Sequence, residues 1–367
     1  MSSSIAVYAG KSALAEIQKN GLSSDQIKVF AGASGGPKWF TLFGLDKYLF
    51  GEFFKDRKET LYTIGSSVGS WRLACLAQKD PVAAIKRLAE HYSRETYTDK
   101  PNLEEISNKA GILLKKVLGE NGAQQIAENP IIHSHFIVAR AKGLARSENK
   151  LLQMTGLIQA ASFNAISRKM LKLFFQRYVF SSHSDQMNIN NTENKPTNAY
   201  FEFHDPSTRY VSLTKDNVYQ VLRASGAIPM VLEGIKDITG SDTGVYRDGG
   251  IIDYHLDINF GGQGLVLYPH FFPTIKPGWF DKSLNYRKAD PKNFDKVILV
   301  TPSADYVAQL PYGKISDRND FTRFDTKTRI KYWQTILSES EKMADDFSLL
   351  AEKEIGIDQV QPIEAIL

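Results

Sequence analysis

Cysteine is nearly absent: Cys75 is the only one in 367 residues. No intrachain disulfide can form, which excludes a disulfide-stapled scaffold and fits a reducing compartment. Long apolar runs are missing too, so no stretch reads as a bilayer-spanning helix. The opening residues lack a basic start followed by an apolar core. No signal peptide is therefore expected, and the expected location is cytoplasmic, with a membrane surface as a peripheral option. Charge of one sign is weak, with a net charge of +4. That excess is too small to argue for nucleic acid as a partner, but it allows attraction to an anionic surface. The chain has neither an internal repeat nor a Walker A loop. What is there is a globular composition, 42% hydrophobic and 23% charged, ample for a large core.

The N-terminal third alternates strand and helix signals. Ser4–Gly10 reads as a strand, Lys11–Asn20 as an amphipathic helix stopped by Gly21, and Ile27–Gly32 as a strand. A Pro-started helix follows over Gly36–Phe50, then the apolar run Leu61–Ile64. Such alternation predicts an α/β fold with a mostly parallel sheet, which binds ligands at the carboxyl ends of its strands. Residues from about 80 to 180 read as mainly helical. Further on, 183–198 reads as a polar loop, 199–205 and 209–214 as a hairpin, and Asn217–Pro229 as a helix ending in a turn. Gly264–Pro269 and Lys296–Ser303 read as strands, and about 326–354 as one long C-terminal helix. No linker divides the chain, so a single unit over 1–367 is expected.

Gly65-Ser66-Ser67-Val68-Gly69 is a Gly-x-Ser-x-Gly match between the apolar run and the helical pattern Ser70–Ala77. Such a match arises by chance about 0.1 times in a chain this long, so the context decides. A nucleophile elbow needs a buried strand before the serine and a helix after it, with Gly65 and Gly69 permitting the sharp turn. Upstream, Ser34-Gly35-Gly36-Pro37-Lys38 exposes consecutive backbone N–H groups suited to an oxyanion or a phosphate. Downstream, Asp248-Gly249-Gly250 ends a short strand. It is either a tight Asp-Gly turn or a held carboxylate whose basicity rises on desolvation.

Taken in order, "SGGPK", "GSSVG", "ASGAIP" and "DGG" resemble the patatin-like phospholipases over about Ile27–Asp257. The resemblance implies a three-layer α/β/α patatin-like fold, with a mainly helical insertion at about 80–180 and a helical extension at about 326–354. It implies a dyad without histidine, Ser67 as nucleophile and Asp248 as base. Gly35 and Gly36 would form the oxyanion hole, with Lys38 at the family's basic position. The implied reaction is acyl transfer from a lipid ester to Ser67 and then to water, with no cofactor or metal. A soluble-ester hydrolase, an acyltransferase and a catalytically silent lipid-binding module remain as alternatives. Three departures stand out. Ser34 replaces the loop's first glycine, Ser66 stands where many members have threonine, and Trp39 occupies a position usually held by glycine. Trp39 is therefore expected to reshape the acyl site, with Asp253 and His255 forming another part of its wall.

Other candidates compete with these. His133 and His135 share one face of a strand, a conceivable zinc pair without an evident third ligand. Asp253, His255 and Asp257 alternate, as metal ligands or as capping groups. His255 also follows Asp248 in the chain order of a Ser–Asp–His triad. Ile166–Tyr178 is a basic amphipathic stretch that is expected to touch a membrane surface if it is not packed in the core.

Overall fold

A computed structural model describes residues 3–183, 200–203 and 205–367. Its elements are β1 (Ile5–Ala9), α1 (Lys11–Asn20), β2 (Ile27–Gly32), α2 (Phe43–Tyr48), β3 (Leu61–Ser66), α3 (Val68–Leu76), α4 (Pro81–Ser93), α5 (Leu103–Leu118) and α6 (Gly122–Ala127). Next come β4 (Ile132–Ala141), α7 (Lys150–Ile166), β5 (Phe175–Ser181), β6 (Arg209–Ser212), α8 (Val218–Ser225), β7 (Ile235–Lys236), β8 (Val245–Asp248), β9 (Leu265–Pro269) and β10 (Val297–Pro302). The chain closes with α9 (Ala304–Gln309), α10 (Asp320–Arg323), α11 (Thr326–Glu339), α12 (Glu341–Lys353) and β11 (Gln361–Pro362).

The strands join one sheet in the order β11-β1-β10-β9-β2-β3-β4-β5-β6. Pairing is parallel from β10 through β4, with antiparallel pairs at β1–β10 and β4–β5. Helices flank this sheet, giving the expected three-layer α/β/α architecture. The composition of the inner strands accounts for their place. "LVLYP" in β9 and "VILVTP" in β10 are buried at every position, as strands covered by helices on both faces must be. By contrast, β1 alternates in burial, which suits its place near the edge.

Four expectations need correction. The helical stretch 80–180 is interrupted by the ten-residue strand β4, which pairs with β3, β5 and β8. Its sequence, Ile132–Ala141, mixes β-branched and aromatic groups with polar ones, and all but Arg140 are buried. The Pro-started helix divides into a 3-10 segment over Gly36–Leu42, then α2, then a π segment over Leu49–Phe53. The C-terminal helix breaks at Ser340, whose Oγ donates to Leu337 O and accepts from Gly44 N at 2.8 Å, anchoring the break to α2. No hairpin joins 199–205 to 209–214 among the described residues: Glu202 bridges Asn259, and β6 runs parallel to β5. The polar loop expected at 183–198 lies almost wholly outside the described residues.

Candidate active site

The register of β4 sets the site. Ser66, the last residue of β3, lies opposite Ile137, and Asp248, the last residue of β8, lies opposite Val138. Strand β3 runs parallel to β4 and β8 antiparallel to it, so the carboxyl ends of β3 and β8 meet head to head along one edge of β4. Ser67 Oγ thereby donates to Asp248 Oδ2 at 2.7 Å, across 181 residues of sequence.

Ser67 caps α3 with φ 55° and ψ −131°, a backbone conformation seldom adopted by a side-chain-bearing residue. The helix start carries partial positive charge toward the hydroxyl. Glycine makes the tight turn feasible. A Cβ on Gly69 would fall 2.0 Å from Gly32 O, and one on Gly65 would fall 2.8 Å from the Gly69 carbonyl carbon. Ser225, within "ASGAIP", accepts from Ser67 N at 2.9 Å and donates to Ile137 O at 2.8 Å. It therefore pins the elbow to β4, a role the sequence motif alone does not reveal. Ser225→Ala leaves the buried Ser67 N–H without an acceptor. The expected cost is about 1–3 kcal/mol of stability with reduced ester turnover, measurable by denaturant unfolding and steady-state assay.

Two departures from the family pattern bond to each other. Ser66 Oγ donates to Asp253 O at 2.6 Å, and Ser34 Oγ lies 2.7 Å from Ser66 Oγ, which it reaches as donor. Ser34 N also donates to Tyr254 O at 3.0 Å. These bonds tie the glycine loop, the elbow strand and the segment after Asp248 together.

Gly35, Gly36 and Lys38 line one cavity with Ser67 and Asp248, of about 220 Å³. The N–H groups of Gly35 and Gly36 make no hydrogen bond with another described residue, so both are available to a developing oxyanion. Gly36 takes φ +56°, and a Cβ on Gly35 would collide with Phe271 Cε1 at 2.4 Å. Both positions thus require glycine, one for conformation and one for space.

Burial pushes the Asp248 carboxyl up to about 6, against the opposing effects of the Ser67 and Gly250 hydrogen bonds and the charges of Arg318 and Lys282. Gly250 N donates to Asp248 Oδ1 at 2.7 Å, so one oxygen is held by backbone while the other faces Ser67. The result is a carboxylate that is ionised at pH 7 yet more basic than a free one.

Sequence reasoning missed two further cations lining this cavity, Lys282 and Arg318. Burial pushes Lys282 down to about 7, with repulsion from Lys38 and Arg318 adding to it and Asp248 opposing. Lys38 is also lowered, chiefly by burial, while Asp317 counteracts. Both missed groups come from loops placed by remote bonds. Ser316 Oγ donates to Pro37 O at 2.7 Å, and Asp281 binds Arg168 at 2.9 Å and Asn164 at 2.7 Å. No local pattern in "WFDKS" or "SDRND" signals such placement.

A second cavity of about 330 Å³ opens from the same serine. It shares Gly36, Ser67, Ile228, Arg318 and Asn319 with the first, and its remaining walls are largely apolar, including Val68, Trp71, Ile106, Leu113 and Phe321. Ser67 thus sits where a cationic pocket meets an apolar one.

Three expected wall residues lie elsewhere. Trp39 is fully buried against Phe40 and Phe43 and lines neither cavity, because the 3-10 turn after Pro37 directs it into the core. Asp253 is held bidentately by Arg177, at 2.6 and 2.9 Å, which consumes its carboxylate. His255 is buried beside Tyr254, His270 and Phe271, and its Nδ1 accepts from Lys276 N at 2.9 Å. Burial, with His270 and then Lys38 and Lys282 adding, pushes its pKa well below the ordinary value. Because Ser67 bonds Asp248 directly, no imidazole stands between them, and the Ser–Asp–His alternative is not the arrangement found. Asp257 accepts from Asn293 Nδ2 at 2.7 Å, apart from Asp253. His133 stacks on His183 at 4.0 Å, and His135 Nδ1 lies 3.0 Å from the carbonyls of Thr63 and His133.

A family model for patatin-like phospholipases matches residues 33–255. The human GIVD cytosolic phospholipase A2 structure is similar at 12% identity and a TM-score of 0.41, covering 95% of this chain and 63% of that one. VipD from Legionella pneumophila is similar at 14% identity and a TM-score of 0.30, covering 73% of this chain and 53% of that one. The chain thus spans less than two thirds of the length of either. No curated protein matches it in sequence.

Proposed function

The chain belongs to the patatin-like phospholipase family, and from that premise we propose that it is a lipid acyl hydrolase working through a Ser67–Asp248 dyad. The observation that carries this reading is the 2.7 Å bond from Ser67 Oγ to Asp248 Oδ2 at the junction of the two cavities. Asp248 accepts the Ser67 proton as Oγ attacks the ester carbonyl. The N–H groups of Gly35 and Gly36 receive the oxyanion, contributing on the order of 3 kcal/mol each by comparison with other oxyanion holes. Asp248 returns the proton to the departing alkoxide. It then takes one from water, whose attack on the acyl carbon releases the fatty acid and regenerates Ser67 Oγ–H.

The two cavities support assignment of the substrate's two ends. An acyl chain suits the apolar cavity, and burial of its methylenes contributes about 0.8 kcal/mol each. An anionic headgroup suits the cavity that gathers Lys38, Lys282 and Arg318. A phospholipid or lysophospholipid satisfies both. Lys282→Gln is expected to raise KM for an anionic lysophospholipid about tenfold while leaving a neutral ester of the same chain length unaffected. Equal effects on both substrates would remove the headgroup assignment.

The pH profile follows from the two titrations. The base must be ionised, so kcat/KM for any ester rises as pH increases through about 6. Lys282 loses its charge as pH rises through about 7, so turnover of an anionic substrate falls again there. A neutral ester is expected to give only the ascending limb. A descending limb of the same depth for both substrates would show that Lys282 does not act through substrate charge.

A further inference from the structure

Helix α7 departs from the usual amphipathic pattern: Leu157 and Ala160 are buried, but so are Gln153 and Asn164. Its inward side carries polar groups in fixed bonds: Gln153 Oε1 accepts from Met230 N at 2.8 Å, and Asn164 Nδ2 donates to Asp281 Oδ1 at 2.7 Å. Gly156 allows close seating, since a Cβ there would lie 2.4 Å from Ala145 N. The outward side is mostly apolar, with Thr155, Gln159 and Ser162 as its exposed polar groups. Leu151, Leu152, Met154, Ile158, Phe163 and Ile166 are all exposed, Ile166 at 80% and Leu151 at 67%. Of thirteen exposed large apolar side chains among the described residues, eight lie between Leu144 and Leu173, so this is a patch rather than scatter. No charged residue interrupts the helix after Lys150.

Charge identifies the occupant. Arg146 and Lys150 flank the patch at one end, and Lys169 and Lys172 at the other, all exposed. The single acidic residue in 142–173 is Glu148, which pairs with Arg247 at 2.8 Å. With both helix ends basic, a second copy would set like charges together in either helix direction. A lipid surface bearing anionic headgroups matches the apolar face and both ends at once. The helix is about 25 Å long at 1.5 Å per residue, and none among the described residues is long and apolar enough to cross a membrane, so it would lie in the interface plane.

We propose that the outward face of α7 docks on anionic bilayers and presents the catalytic cavity to them. This rests on the lipid-hydrolase reading and names the surface by which that site reaches its substrate. The helix is bonded to the site's own walls: Met230 follows Ile228 and Pro229, and Asp281 lies between Trp279 and Lys282, all of them cavity-lining neighbours. Docking is thus assigned to α7 together with the start of the Ile166–Tyr178 stretch. Only the end of that segment turns inward, with Phe175 and Tyr178 buried in β5, while Lys169, Lys172 and Leu173 stay exposed beside the helix.

The test is co-sedimentation of the full chain with vesicles of phosphatidylcholine alone or mixed with phosphatidylglycerol. The proposal expects association with mixed vesicles, weakened about fivefold for each of Lys150, Lys169 and Lys172 changed to Gln. Ile158→Asp and Ile166→Asp should each reduce association about tenfold or more while leaving soluble short-chain ester turnover within about twofold. A wild type that hydrolyses the soluble ester but ignores anionic vesicles overturns the docking proposal and leaves the hydrolase reading standing. Vesicle association lost in the α7 variants, without ester turnover in the wild type, supports docking and tells against the hydrolase reading. A wild-type dimer that Ile158→Asp splits, without vesicle association, assigns the face to a second copy and overturns the proposal.

Discussion

Asp248→Asn is expected to lower kcat/KM about 10,000-fold for every ester, neutral or charged. The amide keeps the shape of the side chain and its acceptor oxygen toward Gly250 N, so the fold should survive. What it cannot do is take the Ser67 proton. Losses of this size follow when the base beside a serine nucleophile is disabled, and removing a second member of the same unit adds little. The double variant with Ser67→Ala should therefore be scarcely slower than either single one. His255→Gln provides the contrast. His255 lies outside the catalytic cavity lining, and Ser67 already has its acceptor at 2.7 Å, so turnover should change by no more than about threefold, a repacking effect. A steady-state comparison of the four variants separates the dyad from a triad.

Gly69→Ala has the largest expected effect on folding. The added carbon would lie 2.0 Å from Gly32 O, 2.4 Å from Gly32 C and 2.9 Å from Ala33 O. All three are backbone atoms at the end of β2 and the residue after it, and backbone cannot swing aside as a side chain tip can. Either α3 lifts from β2 or β2 bends, and both movements displace Ser67 from Asp248. Destabilisation of about 3 kcal/mol or more is expected, at the upper end for overpacking, with turnover lost even where folded protein is recovered. Denaturant unfolding with a parallel ester assay checks both. A variant of wild-type stability and activity would mean that helix and strand are not in the close contact described.

The legibility of this site in the sequence follows from where its constraints lie. Gly65, Gly69, Gly35 and Gly36 serve backbone needs, and such needs leave a short pattern that can be read without neighbours. Asp248 is similar, since its turn uses Gly250 N. Strand β4 shows in the sequence only as the His133/His135 alternation, because "IHSHFIVARA" mixes polar and apolar groups among long helical patterns, and its role in aligning Ser66 and Asp248 leaves no local sign. Lys282 and Arg318 left no local trace, because bonds such as Asp281–Arg168 and Ser316–Pro37 position their loops. Trp39 and Asp253 failed in the opposite direction. Their places beside the motifs suggested contact with substrate. The 3-10 turn sends Trp39 into the core, and Arg177, 76 residues away, binds the Asp253 carboxylate. Ser34 and Ser66 read as separate departures, but together they form one hydrogen-bonded link.

The membrane-facing surface is hard to read from sequence for a related reason. Ile166–Tyr178 has the right composition, but its last residues complete a buried strand. The preceding helix carries an exposed apolar face while Gln153 and Asn164 are bonded inward, a fact visible only once partners are known.

The most direct test of the dyad is the rate and position of labelling by a serine-directed fluorophosphonate, read by peptide mapping. The account predicts a single adduct on Ser67, formed at a rate that rises as pH increases through about 6 and is abolished in Asp248→Asn. An adduct on Ser66, or labelling that survives in Asp248→Asn but disappears in His255→Gln, would contradict it.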